Sequence, residues 1–311
     1  MTQNIRIASA LLEAEIATCG AELQSLVYRP SGQQLLWQGD PQHWARRSPL
    51  LFPQIGRCWQ DTLRHNGQNY TMPKHGFMRQ HTFMCTEQTT CRVTLVADTY
   101  DYTQAFPHKL RIAVCYTIIN DVLRCTYTIT HANAAEEHLP AYYQVGGHPA
   151  FNLVDFDASY PRPQGYISLH DAEALSLREA EYHLSDESGC IDIQQMYVTP
   201  YDYATDTATF AIERHTFDQD ALIFDVENAL TATLYDADRR AYLRFGSNAP
   251  VLAFWSPKGG CAPFVCFEPW WGSPDSVGYI GDAAHRRYAQ CLAPYGTNTH
   301  MWYVRLLPQH V

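Results

Sequence analysis

The stretch Leu110-Arg111-Ile112-Ala113-Val114-Cys115-Tyr116-Thr117-Ile118-Ile119-Asn120-Asp121-Val122-Leu123-Arg124-Cys125-Thr126-Tyr127-Thr128-Ile129-Thr130 decides the fold class. Both arms are rich in β-branched and aromatic residues, and their apolar positions recur with a period of two. That pattern fits a strand with one face buried. Asn120-Asp121 between the arms reads as a two-residue hairpin turn. The same period recurs in Ile5–Ala8, Leu11–Ile16 and Arg92–Val96, and Asn66-Gly67 between Leu63 and Tyr70 marks a second tight hairpin. Ala172–Tyr182 is the one stretch that reads as a helix. The 18 Pro and 17 Gly are spread along the chain, with no linker and no internal repeat. The expectation is an all-β, mainly antiparallel protein forming a single domain over residues 1–311.

Composition narrows the function classes. Charged residues make up 17% and aromatic residues 13%, which excludes a disordered chain. Twenty Tyr and seven Trp suit strands, and they also suit sugar faces, where an apolar ring meets polar edges. The net charge of −10, with no Lys/Arg run longer than two, argues against a nucleic-acid partner. The pairs Arg46-Arg47, Arg239-Arg240 and Arg286-Arg287 are expected as solvated surface pairs. Ten Cys occur without any C-x-x-C, and the closest pairs are Cys85/Cys91 and Cys261/Cys266. They read as mostly buried thiols of a reducing compartment. No apolar run has signal or membrane length, so a cytoplasmic protein with no membrane partner is expected.

Two short motifs carry candidate acid–base chemistry. In Gly146-Gly147-His148-Pro149-Ala150-Phe151-Asn152 the glycines permit close backbone approach or unusual dihedrals, and Pro149 fixes the exit. Such a turn aims one imidazole; the plainer reading is a His hydrogen-bonded within it. In Phe264-Val265-Cys266-Phe267-Glu268-Pro269-Trp270-Trp271 a carboxyl sits within an apolar strand. Pointing inward, it would have a raised pKa; the alternatives are an outward position or an ion pair. Together His148 and Glu268 offer one acid and one base. His75 and Arg57 could each bind a sugar hydroxyl or pin a loop. A carboxylate at Asp220 or Asp218 could accept two hydroxyls, and spacing does not choose between them. Trp44–Arg57, Met72–Arg79, Ala141–Asn152 and Val265–Asp275 read as loops that gather this content on a rigid scaffold. The histidines lack metal-ligand spacing, and neither a phosphate-cradling Gly-rich loop nor Gly-x-Ser-x-Gly occurs.

The ordered set resembles the aldose 1-epimerase (galactose mutarotase-like) family, in particular its LacX-like bacterial branch. The set comprises Gly146–Asn152, Lys74-His75-Gly76-Phe77-Met78-Arg79, Leu51-Phe52-Pro53-Gln54-Ile55-Gly56-Arg57 and Phe267-Glu268-Pro269-Trp270, with Gly20–Leu26 and Leu36–Asp40 near the start. The resemblance runs from about residue 10 to 305. It implies a β-supersandwich with an open sugar cleft, His148 as catalytic acid, Glu268 as catalytic base, and Arg57, His75 and Asp220 as sugar-binding residues. It implies interconversion of the anomers of a free aldohexose, without cofactor or metal, by a monomer or weak homodimer. Two alternatives are a hexose 6-phosphate as substrate and a non-catalytic carbohydrate-binding protein. A glycoside hydrolase would call for two carboxylates flanking the bond, whereas here the partner of Glu268 is a histidine.

Overall fold

The computed structural model describes residues 3–102, 104–131, 139–159, 162–171, 173, 175–186, 188–226, 230–259 and 262–307. Leu110–Ile119 and Val122–His131 pair antiparallel with Ile119 opposite Val122, so the turn is Asn120-Asp121. Asn120 takes φ = 54°, a left-handed conformation that a short polar side chain tolerates. Burial alternates along both arms, and the inward residues include Ile112, Val114, Tyr116, Cys125 and Tyr127. At the second hairpin Thr62–His65 pairs with Gln68–Thr71. Asn66 and Gly67 have φ of 49° and 75° there, as a tight two-residue turn requires.

The long hairpin lies within a sheet of sixteen strands among the described residues. Its pairing path runs from Met84–Gln88 through Arg92–Asp98, the hairpin, Thr297–Leu306, Ala241–Ser247, Thr231–Tyr235, Tyr166–His170 and Thr207–Ala211. It continues through Tyr197–Asp202, Glu179–Leu184, Leu222–Asp225 and Val251–Trp255 to Phe264–Trp271. A separate four-stranded sheet is built from Asn4–Gln34. One apolar cluster draws residues from both ends of the chain, from Ile5 to Leu306. No described helix is long and apolar enough to cross a membrane.

Three expectations need correction. First, the helix expected over 172–182 is not formed in its described part: Glu179–Leu184 is a strand, bonded to Tyr197–Asp202 on one side and Leu222–Asp225 on the other; residues 172 and 174 lie outside the described ones. Two ladders and the burial of Ala180 and His183 outweigh the helical preference of an Ala/Glu-rich run. Second, Arg286-Arg287 is not a solvated pair. Arg286 is 7% exposed, with its Nε 2.6 Å from Asp275 Oδ1, and Arg287 binds Asp225. Asp275 also accepts from the Trp59 backbone N–H at 2.8 Å, so this buried pair ties the exit of the Glu268 strand to the segment after Arg57. Arg239 and Arg240 are exposed as expected. Third, the thiols are less buried than expected: Cys58, Cys125, Cys190 and Cys266 are buried, Cys19, Cys85, Cys91 and Cys115 are partly open, and Cys291 is exposed, all nine as free thiols. Cys261 lies outside the described residues.

Candidate active site

Strand register sets His148 against Glu268. Phe264–Trp271 pairs antiparallel with Val145–Gly146 and again with Ala150–Asn152, with Gly146 opposite Trp270 and Ala150 opposite Cys266. Continuing that register across the gap sets residue 148 against residue 268. The backbone arches there: the Gly147 N–H donates to Pro269 O at 3.1 Å and the Phe267 N–H to Pro149 O at 2.9 Å. Ala141–Asn152 and Val265–Asp275 are thus largely strand, not the loops that the sequence suggested. The glycines serve close approach, not unusual dihedrals, since neither has a positive φ. A Cβ on Gly147 would lie 2.9 Å from Tyr127 Oη and 3.0 Å from Trp302 Nε1, and one on Gly146 would lie 2.8 Å from Ile55 Cδ1.

His148 Nε2 and Glu268 Oε1 are 3.2 Å apart, with the side chains 9% and 2% exposed. Trp44 stacks on the imidazole at 4.9 Å, and Trp255 meets it edge-on at 5.6 Å. The Trp270 indole N–H donates to Glu268 Oε2 at 3.3 Å. Dehydration disfavours the charged form of each group. Burial therefore pushes the Glu268 carboxyl well above the usual range and draws the His148 imidazole down to about 3. Carboxylic acid beside imidazole, or carboxylate beside imidazolium, is one and the same count: the pair holds a single proton over a wide pH range and titrates as a unit.

The pair faces a cleft of about 240 Å³. His75 sits in a left-handed turn, φ = 64°, locked by its own N–H to Gly56 O at 2.7 Å and by the Gly56 N–H to its Nδ1 at 3.1 Å. Nδ1 is thus the acceptor, which leaves Nε2 to carry the hydrogen. Burial, and then the neighbouring His148, hold its pKa well below the usual histidine value, so His75 is a neutral donor near the pair, its ring 5.9 Å from that of His148. Asp220, at φ = 74°, accepts from Ser185 Oγ at 3.1 Å and lies 3.9 Å from Lys74 Nζ. It lines the same cleft, whereas Asp218 is turned to His215 and the Gly259 N–H and lines only an adjoining outer cleft. Arg57 also lines the outer cleft, and its Nη1 donates to both carboxylate oxygens of Asp61, at 3.0 and 2.9 Å. The structure thus gathers His148, Glu268, His75 and Asp220 in one cleft and sets Arg57 beside it.

A sequence model of the family described as aldose 1-epimerase matches residues 3–288. The chain belongs to the aldose 1-epimerase family. Among curated relatives, the chromosomal protein LacX of Lactococcus lactis subsp. lactis is 25% identical over 281 residues, 88% of this chain and 89% of LacX. Among solved structures, the fold is similar to a galactose mutarotase related enzyme from Lactobacillus acidophilus, with TM-score 0.86, 24% identity and coverage of 98% of this chain and 97% of that one. It is also similar to a galactose mutarotase-like protein from Lactobacillus casei ATCC 334, with TM-score 0.82, 26% identity and coverage of 98% and 100%. The all-β architecture is the galactose mutarotase-like supersandwich expected of this family.

Within this member of the aldose 1-epimerase family, several cleft residues were not singled out from sequence. Lys74, Ser185 and Trp255 line the cleft with the expected residues. Trp255 ends the strand Val251–Trp255, whose register sets it opposite Cys266, two residues before Glu268; that placement is a long-range pairing without a local signal. Lys74 did have one, because it immediately precedes His75 in a tight turn.

Proposed function

We propose that this protein is an aldose 1-epimerase that interconverts the α and β anomers of a free aldohexose. The observation that carries the reading is the buried His148–Glu268 pair, 3.2 Å apart and open to a cleft of monosaccharide size. In its carboxylate–imidazolium form, Glu268 takes the proton from the anomeric hydroxyl as His148 delivers its proton to the ring oxygen. The C1–O5 bond breaks, and the electron pair of the hydroxyl O–H bond becomes part of the C1 carbonyl. Rotation about C1–C2 presents the other carbonyl face. On closure O5 attacks C1, His148 recovers the O5 proton, and Glu268 returns a proton to the new anomeric hydroxyl. The chemistry needs no net proton gain. Lys74 draws down both the Glu268 carboxyl and the His148 imidazole, so its charge does not by itself choose between the two forms of the pair, and each positioned transfer contributes roughly 10²–10⁴-fold. His75 and Asp220 supply one donor and one acceptor for ring hydroxyls. Measured anomer exchange with glucose and galactose tests the reading; no acceleration with either would count against it.

A specific observation favours a second reading, a hexose 6-phosphate. Arg46 and Arg79 line the cleft, and among the described residues neither is within ion-pair distance of a carboxylate. Arg79 Nε is buried without a hydrogen-bond partner there. Arg79 Nη2 donates to Lys74 O at 3.0 Å, but cations without a carboxylate partner beside the cleft suit a phosphate. A large preference for glucose 6-phosphate over glucose, lost in Arg79→Ala, would select this reading.

A further inference from the structure

The single proton of the His148–Glu268 pair has two resting places, and the proposed chemistry starts from only one of them. With the proton on Glu268, Oε1 donates to His148 Nε2 and the ring hydrogen lies on Nδ1. With the proton on His148, both ring nitrogens carry hydrogen and Glu268 is a carboxylate. The hydrogen on Nδ1 is common to both forms and favours neither. Burial favours the uncharged form, since it raises the carboxyl and lowers the imidazole. Neighbouring charges do not reverse this. Lys74 favours the carboxylate but, with Arg79 and Arg46, opposes a further positive charge on the imidazole, and Asp220 opposes a negative charge on the carboxyl. His75 is neutral, and the buried Cys266 thiol stays protonated. Resting on the epimerase reading, we infer that Trp270 and Trp44 are positioning residues that stabilise the carboxylate–imidazolium form, Trp270 acting through Glu268 and Trp44 through His148.

The two carboxyl oxygens have separate partners: Oε1 faces His148 Nε2 at 3.2 Å, and Oε2 accepts the Trp270 indole N–H at 3.3 Å. Glu268 and Trp270 are two residues apart on the strand Phe264–Trp271, so their side chains leave the same face. Gly146 lies opposite Trp270, and a Cβ there would be 2.9 Å from Trp270 Cδ1; glycine lets the indole lie close against the neighbouring strand. A hydrogen bond to an ionised acceptor is roughly twice as strong as one to a neutral acceptor. The Trp270 bond therefore favours ionised Glu268. Because the indole is uncharged, it does so without the penalty that Lys74 imposes on the imidazolium. Trp44 acts on the other partner. Its ring lies 4.9 Å from the imidazole at an interplanar angle of 27°. It also stacks with Phe264 at 5.8 Å and 26°, and Phe264 stacks with Trp37 at 4.6 Å and 28°. The Trp37 indole N–H donates to Trp44 O at 2.8 Å, which fixes the backbone that carries the stacked ring. A cation over an indole face within about 6 Å is attracted by the ring quadrupole, most strongly where water is excluded. Each indole thus favours one charge of the ion pair, and neither adds a charge of its own.

The test joins spectra recorded without sugar to kinetics recorded with it. Infrared difference spectra against Glu268→Gln isolate the carbonyl band of protonated Glu268, and ¹⁵N NMR of labelled histidine reads whether one or both His148 ring nitrogens carry hydrogen. Trp270→Phe keeps a ring and removes the N–H. It should strengthen the carbonyl band, move it to higher frequency as Oε2 loses its donor, and shift His148 toward the neutral pattern. Trp44→Leu should strengthen the band without moving it, since Trp44 does not touch Oε2. With glucose and galactose, kcat should fall about tenfold in Trp270→Phe, the margin of a charged over a neutral hydrogen bond. It should fall about fivefold in Trp44→Leu, with Trp44→Phe recovering most of that loss. KM should change little in each. Circular dichroism and melting establish that the variants fold; should Trp270→Phe fail to, the partly exposed Trp44 carries the same test. A carbonyl band and His148 nitrogens unmoved in the folded variants, or an unchanged kcat in them, overturns the inference and leaves the epimerase reading intact. Absence of exchange with every sugar overturns the epimerase reading, and the sugar-free spectra then decide the placement of the proton on their own.

Discussion

Glu268→Gln should make stability depend on pH in a way that counts the proton held by the pair. In the folded protein His148 and Glu268 together hold one proton, because burial raises the carboxyl well above its usual range and lowers the imidazole to about 3. In the unfolded chain the carboxyl titrates near 4.3 and the imidazole near 6.5. The sign follows from linkage: stability rises with pH where the unfolded state holds more protons, and falls where the folded state does. A raised carboxyl means that the folded state keeps a proton which the unfolded state has released above about pH 4.3. Its contribution is therefore fully present below that pH and is lost as pH rises. The depressed imidazole acts oppositely: the unfolded state holds the extra proton between about 3 and 6.5. Substituting glutamine removes only the first effect. Relative to Glu268→Gln, the wild type should lose stability steadily as pH rises above about 4.3, for as long as the folded carboxyl keeps its proton. Urea unfolding of both proteins at pH 5, 6 and 7 reads this difference directly. Parallel stability curves would mean that the carboxyl ionises normally, and would refute the dehydrated-pair argument.

Three further outcomes follow from the same geometry. Gly147→Ala sets a Cβ 2.9 Å from Tyr127 Oη and 3.0 Å from Trp302 Nε1; thermal melts should show a loss of about 1–3 kcal/mol from overpacking, and a neutral result would show that the arch carrying His148 can relax. In a pH profile of kcat/KM, no transition should occur near 6.5, the value of a free imidazole, because the pair keeps its single proton through that range; an inflection there would show that His148 titrates on its own. Asp220→Asn should raise KM by about tenfold, the worth of one charged hydrogen bond of about 1.5 kcal/mol, with a smaller change in kcat; the opposite split, seen in steady-state kinetics, would move Asp220 from substrate holding to the chemical step.

Much of the fold was legible because its signals are local. Alternation in Leu110–Thr130 needs only the neighbouring residues to be read, and Asn120-Asp121 and Asn66-Gly67 specify their turns through φ preferences. The run 172–182 was misread for the complementary reason. Its Ala and Glu residues carry helical propensity, yet Glu179–Leu184 is flanked by strands from residues 197–202 and 222–225, which no local window contains. The candidate site divides in the same manner. His148 and Glu268 are announced by their glycines, proline and aromatic neighbours, but the register that joins them spans 120 residues. Asp220 could not be told from Asp218 by spacing, and only the turn at φ = 74° aims it inward. Arg286 looked like half of a surface pair, and its burial depends on Asp275, which reaches it from the strand exit.

The most direct measurement of the central claim is two-dimensional exchange NMR on the equilibrium anomers of glucose, galactose and glucose 6-phosphate, each with wild type, Glu268→Gln and His148→Asn. The account predicts enhanced α/β exchange by the wild type and its loss by roughly two to four orders of magnitude in each folded variant. Undiminished exchange in a folded Glu268→Gln protein, or no enhancement by the wild type with any of these sugars, would contradict it.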